Sequence, residues 1–143
     1  MSGLAEGYEL TVDQTRIDAV AAHAYLAASY WSEGIPQETV ARALANSLCV
    51  AVRHDGVQVA MARVITDRAT FAYLADVYVL DAHRGKGLSK AMVAALHDHP
   101  ELQGLRRWML MTRDAHGLYE QFGWTSLASP GSAMERHDLG VYS

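Results

Sequence analysis

The sequence predicts an α/β fold of the α+β type, a mixed sheet with helices on its faces, and three observations predict it. Asp55-Gly56 separates two apolar, strand-like runs, the mark of a tight hairpin. Leu74-Ala75-Asp76-Val77-Tyr78-Val79-Leu80 leads through a glycine turn into a helical pattern at Leu88, so a strand feeds a helix. End to end, the hydrophobic patterns read β-α-α-β-β-β-α-β-α-β, with room for one more strand.

Taken in order, Tyr8-Glu9-Leu10-Thr11-Val12 alternates and reads as a first strand. Asp13 or Thr15 is placed to cap the helix that follows, whose stripe is Ile17, Val20, Ala21, Ala24, Tyr25 and Ala28. Ser29-Tyr30-Trp31-Ser32-Glu33-Gly34 breaks it. Pro36 suits the first turn of a second helix, with Val40, Ala43, Leu44 and Ser47 on one face. Residues 48–54 read as a strand, 58–66 as its antiparallel return, and 71–80 as a long central strand after the turn at Asp67-Arg68. Leu88, Ala91, Met92, Ala95 and Leu96 form the stripe of a third helix, which Pro100 and Gly104 end. Residues 107–111 suit a buried strand parallel to the central one across a helical crossover. Residues 115–122 read as a short helix stopped by Gly123, and 124–127 and 133–136 as last strands.

The length of 143 residues fits one domain spanning 1–143, and neither a repeat nor a Pro/Gly-rich linker interrupts it. No apolar run approaches the roughly 20 residues of a membrane span, and the first residues lack the basic and apolar regions of a signal peptide. The expected location is therefore cytoplasmic, with no membrane partner. A net charge of −4 argues against a nucleic-acid partner. Cys49 is the single cysteine and sits in an apolar run, so a buried thiol is expected rather than a nucleophile or a metal ligand. His97 and His99 would point different ways on a helix, while His116 and His137 stand alone. No metal site is expected.

The glycine turn, His83-Arg84-Gly85-Lys86-Gly87-Leu88-Ser89-Lys90, carries the most chemistry. A helix N-terminus behind a glycine turn exposes unsatisfied N–H groups and a positive partial charge, and so attracts phosphate. Arg84 and Lys86 add full charges, while Gly85 and Gly87 present no Cβ to obstruct the backbone. The pattern G-x-x-x-x-G-K-[ST] is absent. The dinucleotide fingerprint G-x-G-x-x-G fails at its third glycine, where Lys90 stands.

What remains is Arg84-x-x-Gly87-x-Ser89. This resembles the Q/R-x-x-G-x-G/A motif of the GNAT superfamily, the acyl-CoA-dependent N-acyltransferases. Asp76-Val77-Tyr78-Val79 before it also resembles the family, and Leu118-Tyr119-Glu120-Gln121-Phe122-Gly123-Trp124 is similar to the family's second signature, with Trp for Phe. The likeness runs from about residue 48 to 127. It departs at Ser89, where the family prefers Gly or Ala. It departs again at Thr112-Arg113-Asp114-Ala115-His116-Gly117, which lacks the usual asparagine.

The resemblance implies the family's fold, a central mixed, mostly antiparallel sheet with helices on both faces. It implies a transferase that moves the acetyl group of acetyl-CoA, without a metal, to a primary amine of a small molecule or peptide by direct attack in a ternary complex. The alternative is a module that binds acyl-CoA without turnover. The resemblance assigns the pyrophosphate to Arg84, Gly85, Lys86, Gly87, Leu88 and Ser89, where each charge-assisted hydrogen bond contributes roughly 1.5–3 kcal/mol. Val77, Tyr78 and Val79 would hold the pantetheine arm like an added strand, with the Val77 N–H facing the thioester oxygen. Asp114 and His116 complete the cofactor contacts. Tyr119 matches the tyrosine that assists the departing thiolate. Asp76 is the first candidate for the base, ahead of Glu33 and His23. A purely structural role for Asp76, accepting bonds from a neighbouring loop, stays open. Tyr30, Trp31, Arg63 and Tyr73 are the candidate acceptor contacts. Family members often form homodimers.

Overall fold

The computed structural model describes residues 3–143. Five strands form one sheet in the order β1-β2-β3-β4-β5. These are β1 (Tyr8–Thr11), β2 (Leu48–His54), β3 (Val57–Thr66), β4 (Phe71–Val79) and β5 (Arg107–Leu110). The first four run antiparallel to their neighbours, and β5 joins β4 in parallel, so the expected mixed, mostly antiparallel sheet is present. Asp55 and Gly56 both adopt positive φ, as the tight turn between β2 and β3 demands.

Strand alternation divides the core between two faces. Leu48, Val50, Val52, Ala60, Ala62 and Val64 pack with Leu88, Met92, Val93 and Leu96 of α3 (Leu88–Asp98). Cys49, Met61 and Tyr78 face the other way, against Ala22 and Leu26 of α1 (Ala19–Leu26) and Val40 and Leu44 of α2 (Gln37–Ala45). A short α4 (His116–Glu120) follows β5.

The register of β3 against β4 jumps at one place. Arg63 pairs with Asp76 but Val64 pairs with Leu74, so Ala75 is an extra residue in β4. The bulge resets the alternation. Ala72 and Leu74 before it, and Val77 and Val79 after it, all belong to the α3 side. Asp76 and Tyr78 are thereby turned toward α1 and α2.

Three expectations need correction. Residues 124–127 and 133–136 are not strands; only a single 3-10 turn at Pro130–Ser132 interrupts an irregular tail. The Ser129-Pro130-Gly131-Ser132 run is turn chemistry, and Met134 is 97% exposed, so no apolar face exists to dock a strand. Asp13 caps a 3-10 turn at Gln14–Arg16, while Asp18 caps α1 by accepting the Ala21 N–H at 3.0 Å. The stripe assigned to this helix is also out of phase: Val20 is 62% exposed, and Ala22 and Leu26 face the core. Its residues are apolar almost all round, so periodicity cannot select a face.

Gln58 fastens α1 to the sheet. Its side chain accepts the Asp18 N–H at 2.8 Å and donates to the Asp18 carbonyl and the Tyr78 hydroxyl, both at 3.1 Å. It is 2% exposed, so water cannot replace these bonds. Gln58→Leu is expected to cost about 1–3 kcal/mol. The check is a lower urea midpoint at constant m.

Candidate active site

Past Leu74 the central strand loses its neighbour. Pairing between β4 and β5 covers Phe71 to Leu74 against Arg107 to Leu110, yet β4 continues to Val79. The two strands part and open a cleft of about 1590 Å³. The Leu80 N–H donates to the Val59 carbonyl on β3 at 2.9 Å. Alternation then aims the peptide groups of Val79 and Val77 away from β3, into the cleft. The Val79 carbonyl accepts Arg84 Nε at 3.1 Å.

At one end of that exposed edge stands the α3 N-terminus. Gly87 is its cap at φ +77°, and no side chain caps it. Gly85 has φ +76°, and these left-handed values explain both glycines. A Cβ at either would meet nothing within 4 Å, so the space in front of the turn is open. The N–H groups of residues 85–90 have no partner among the described residues. Arg84 is held at the rim by Tyr25 Oη at 3.2 Å and Asp81 at 3.0 Å. Gly85, Gly87, Leu88 and Ser89 line the cleft, whereas Lys86 and His116 are exposed outside its wall. Leu88 is itself a core side chain, so what it offers the cleft is its amide.

Tyr78 borders the cleft, but its ring is stacked on Tyr25 at 4.4 Å and its hydroxyl is engaged by Gln58. Asp114 and Tyr119 line the opposite wall. Tyr119 is 7% exposed, and burial raises its phenol above the usual range, so it stays protonated at neutral pH. Its hydroxyl has no hydrogen-bond partner among the described residues. Its ring lies 5.9 Å from that of Trp124, which donates to His97 Nε2 at 3.0 Å. Burial lowers the His97 pKa, in keeping with an unprotonated acceptor.

The remaining predicted residues gather behind the bulge. Trp31 Nε1 donates to Asp76 Oδ1 at 2.8 Å, and Arg63 Nε donates to Oδ2 at 2.6 Å. Arg63 Nη1 reaches Ser47 Oγ at 3.1 Å. Asp76 is only 6% exposed, and a neighbouring loop does bond to it. Tyr73 is half-buried; burial raises its phenol pKa and the Asp76 charge adds to that. Tyr30 meets Trp31 edge-on at 5.1 Å, and the Arg113 guanidinium sits 3.9 Å over the Tyr30 ring. Arg63 and Asp76 line a second cavity of about 400 Å³. Trp31, Tyr73, Ala75 and His137 border both spaces, so the two adjoin at the bulge.

Sequence reasoning missed Tyr25, Arg113 and His137. Tyr25 was placed on the helix stripe, and its hydroxyl on Arg84 is a contact across 59 residues that no local pattern encodes. His137 lies on the irregular tail, which returns to the α1–α2 side: the Tyr142 carbonyl comes within 3.3 Å of where a Cβ on Gly34 would lie. Two other histidines have structural partners. His99 caps a 3-10 turn and His23 Nε2 lies 3.0 Å from the Ile35 carbonyl. Glu33 is exposed. Cys49 is fully buried, and burial pushes its thiol up to about 12, which removes it as a nucleophile. No group of metal-binding side chains occurs among the described residues, and no helix there is long and apolar enough to cross a membrane.

Comparison with known proteins gives a consistent picture. Residues 8–124 match the acetyltransferase (GNAT) family model. A Gibberella zeae protein provisionally named an acetyltransferase is 30% identical over 135 residues, covering 78% of this chain and 75% of that protein. The crystal structure of a GNAT-family protein of Xanthomonas campestris pv. campestris, provisionally named an acetyltransferase, is 49% identical with a TM-score of 0.91. It covers 95% of this chain and 96% of that one. The aminoglycoside N-acetyltransferase AAC(6′)-Iy, solved in complex with CoA, shares the fold at 14% identity and a TM-score of 0.64, covering 92% and 95%.

The Asp76–Arg63 pair predicts an asymmetric mutational response. Asp76→Ala leaves a largely buried guanidinium without its anion and is expected to cost about 3 kcal/mol. Removing both charges with Asp76→Ala/Arg63→Met should cost less than the single change. Denaturant midpoints of the two variants check this.

Proposed function

The chain belongs to the acetyltransferase (GNAT) family, and on that premise we propose that it is an N-acetyltransferase using acetyl-CoA. It would acylate a primary amine of a small molecule or peptide by direct attack within a ternary complex. The observation that carries this reading is a track of main-chain groups without strand or helix partners, along which only the Val79 carbonyl is engaged, by Arg84. It runs from the α3 amides along the open edge of β4 to the bulge, with the unpartnered Tyr119 hydroxyl across the cleft.

These features fit coenzyme A. The amides of residues 85–90 and the positive end of α3 suit a pyrophosphate. Gly85 and Gly87 leave the approach open, and Arg84 adds charge at the rim. The free edge at Val77 and Val79 suits the amide-bearing pantetheine arm, with the Val77 N–H as donor to the acyl oxygen. When bound, the thioester supplies an activated acetyl group with a thiolate as leaving group.

The chain's own residues have the remaining tasks. An alkyl amine of pKa about 10.4 must lose a proton before it attacks, a cost of roughly 4–5 kcal/mol near neutral pH. Both carboxylate oxygens of Asp76 already accept bonds from Arg63 and Trp31, which favours a positioning role. His137 borders both spaces and its ring has no hydrogen-bond partner among the described residues. We therefore assign it to receive the amine proton at an imidazole nitrogen. Tyr119 keeps its proton at neutral pH and gives a hydrogen bond, or the proton itself, to the departing sulfur.

Acetyl-CoA at about 100 times its dissociation constant should stabilise the fold by about 2.7 kcal/mol, a melting shift on the order of 5–10 °C. NADH and ATP should shift it much less, and equal shifts with NADH would remove the CoA assignment. In thiol-release assays with an amine the enzyme accepts, Tyr119→Phe should lower kcat roughly 10- to 100-fold with the melting shift kept. His137→Gln should lower kcat by about 100-fold with the acetyl-CoA melting shift kept. An unaltered kcat would return His137 to the tail as a bystander.

A further inference from the structure

The second cavity has a chemistry of its own. It is a pocket of about 400 Å³, at the small end of the ~300–1,000 Å³ that ligand sites occupy. Its inner wall is apolar: Leu26, Ile35, Val40 and Leu44 come from α1, α2 and the loop between them. Ile65 and the tail residue Val141 continue that wall. The charged side chains are Asp76 and Arg63 beside the bulge and Asp138 on the tail, next to the His137 imidazole; Ser32 and Tyr73 add hydroxyls.

The charges there do not balance. Arg63 is committed, with Nε on Asp76 and Nη1 on Ser47, and this pair is neutral as a unit. Asp138 is left over, so the pocket is net negative. Such a field admits a cation and opposes a second carboxylate near it. The side chains of Leu26, Ile35, Val40 and Leu44, in turn, offer no acceptor to a second ammonium group.

Resting on the acetyltransferase reading above, we infer that this pocket selects the acceptor: a small primary amine with one compact apolar body and no carboxylate. The amine sits at the bulge, where Trp31, Tyr73, Ala75 and His137 border both spaces. The body fills the pocket between α1, α2 and the tail. Polyamines fail because the inner wall would strip water from a distal charge. Amino acids fail because their carboxylate would lie beside Asp76. The tail is part of the enzyme's specificity, since Val141 and Tyr142 close the pocket.

Three probes separate the terms. 2-Phenylethylamine has the amine and the apolar body, L-phenylalanine adds a carboxylate to the same body, and spermidine replaces the body with further charges. CoA release from acetyl-CoA is followed with each, and the acetyl-CoA melting shift is recorded on the same protein. We expect kcat/KM for 2-phenylethylamine to exceed both others by about tenfold or more. Val141→Glu, on an exposed tail position, should raise KM for 2-phenylethylamine by about tenfold and leave the melting shift intact. Preference for L-phenylalanine would mean that Arg63 receives a carboxylate, and preference for spermidine that the wall tolerates charge; either overturns the inference. So does failure of all three with the melting shift present, which leaves the family's cofactor reading standing. Loss of the melting shift itself would instead remove the reading on which the inference rests.

Discussion

A single mismatch of strand lengths organises this molecule. β4 runs to Val79, but its parallel neighbour stops pairing at Leu74. Buried strands normally satisfy both edges, because an unpaired peptide group costs free energy wherever water is excluded. Here one edge is left open along a cleft, and the fold keeps it from closing. The other edge of β4 is held by β3, and Leu88, Met92 and Val93 hold α3 against the same sheet. The open edge is thus a fixed stretch of strand rather than a mobile loop.

The bulge at Ala75 sets which side chains serve which space. Without the extra residue, strict alternation would place Asp76 and Tyr78 on the face of Ala72 and Leu74 and bury a carboxylate against α3. With it, Val77 and Val79 keep their apolar packing on the α3 side while Asp76 turns to meet Arg63 and Trp31. One inserted residue therefore separates the cofactor edge from the charged cluster and brings the two spaces together. Wide local twist at such a site also helps β4 and β5 part.

Much of this was legible in the residues. The β2–β3 hairpin followed from Asp55-Gly56, and the parallel pairing of residues 107–111 with the central strand followed from the crossover implied by the α3 pattern; the sheet order and the place of β1 beside β2 did not. The glycine turn before α3 was visible because its signal is local: glycines, cations and a helix start within eight positions. The bulge was not visible, since Leu74-Ala75-Asp76-Val77 reads as an uninterrupted strand and pairing register is a property of two strands together. The phase of α1 was hidden by its uniformly apolar composition, so alanines on opposite sides look alike. Short apolar runs at 124–127 and 133–136 suggest strands, yet a strand must pair with an edge, and the turn at Pro130–Ser132 and the exposed Met134 leave this tail irregular. The cluster behind the bulge depends on contacts such as Trp31 to Asp76, 45 residues apart, which no spacing rule encodes.

Trp31 connects these levels. A loop residue would ordinarily be free to move, and at 39% exposure its ring has no burial sufficient to hold it. Its indole N–H is instead fixed to Asp76, its ring meets Tyr30 edge-on, and Arg113 from beyond β5 covers Tyr30. The α1–α2 loop is thus tied to the central strand on one side and to the β5–α4 segment on the other. That chain of contacts crosses the mouth of the cleft where the strands part. Ordering this loop costs conformational entropy, which a single exposed stacking contact would not offset. The buried carboxylate supplies the difference, because a desolvated acceptor bonded to an indole N–H leaves it few alternatives. Asp76 thereby holds Trp31 against the central strand, and the cavity behind the bulge, which both residues line, takes part of its shape from that hydrogen bond.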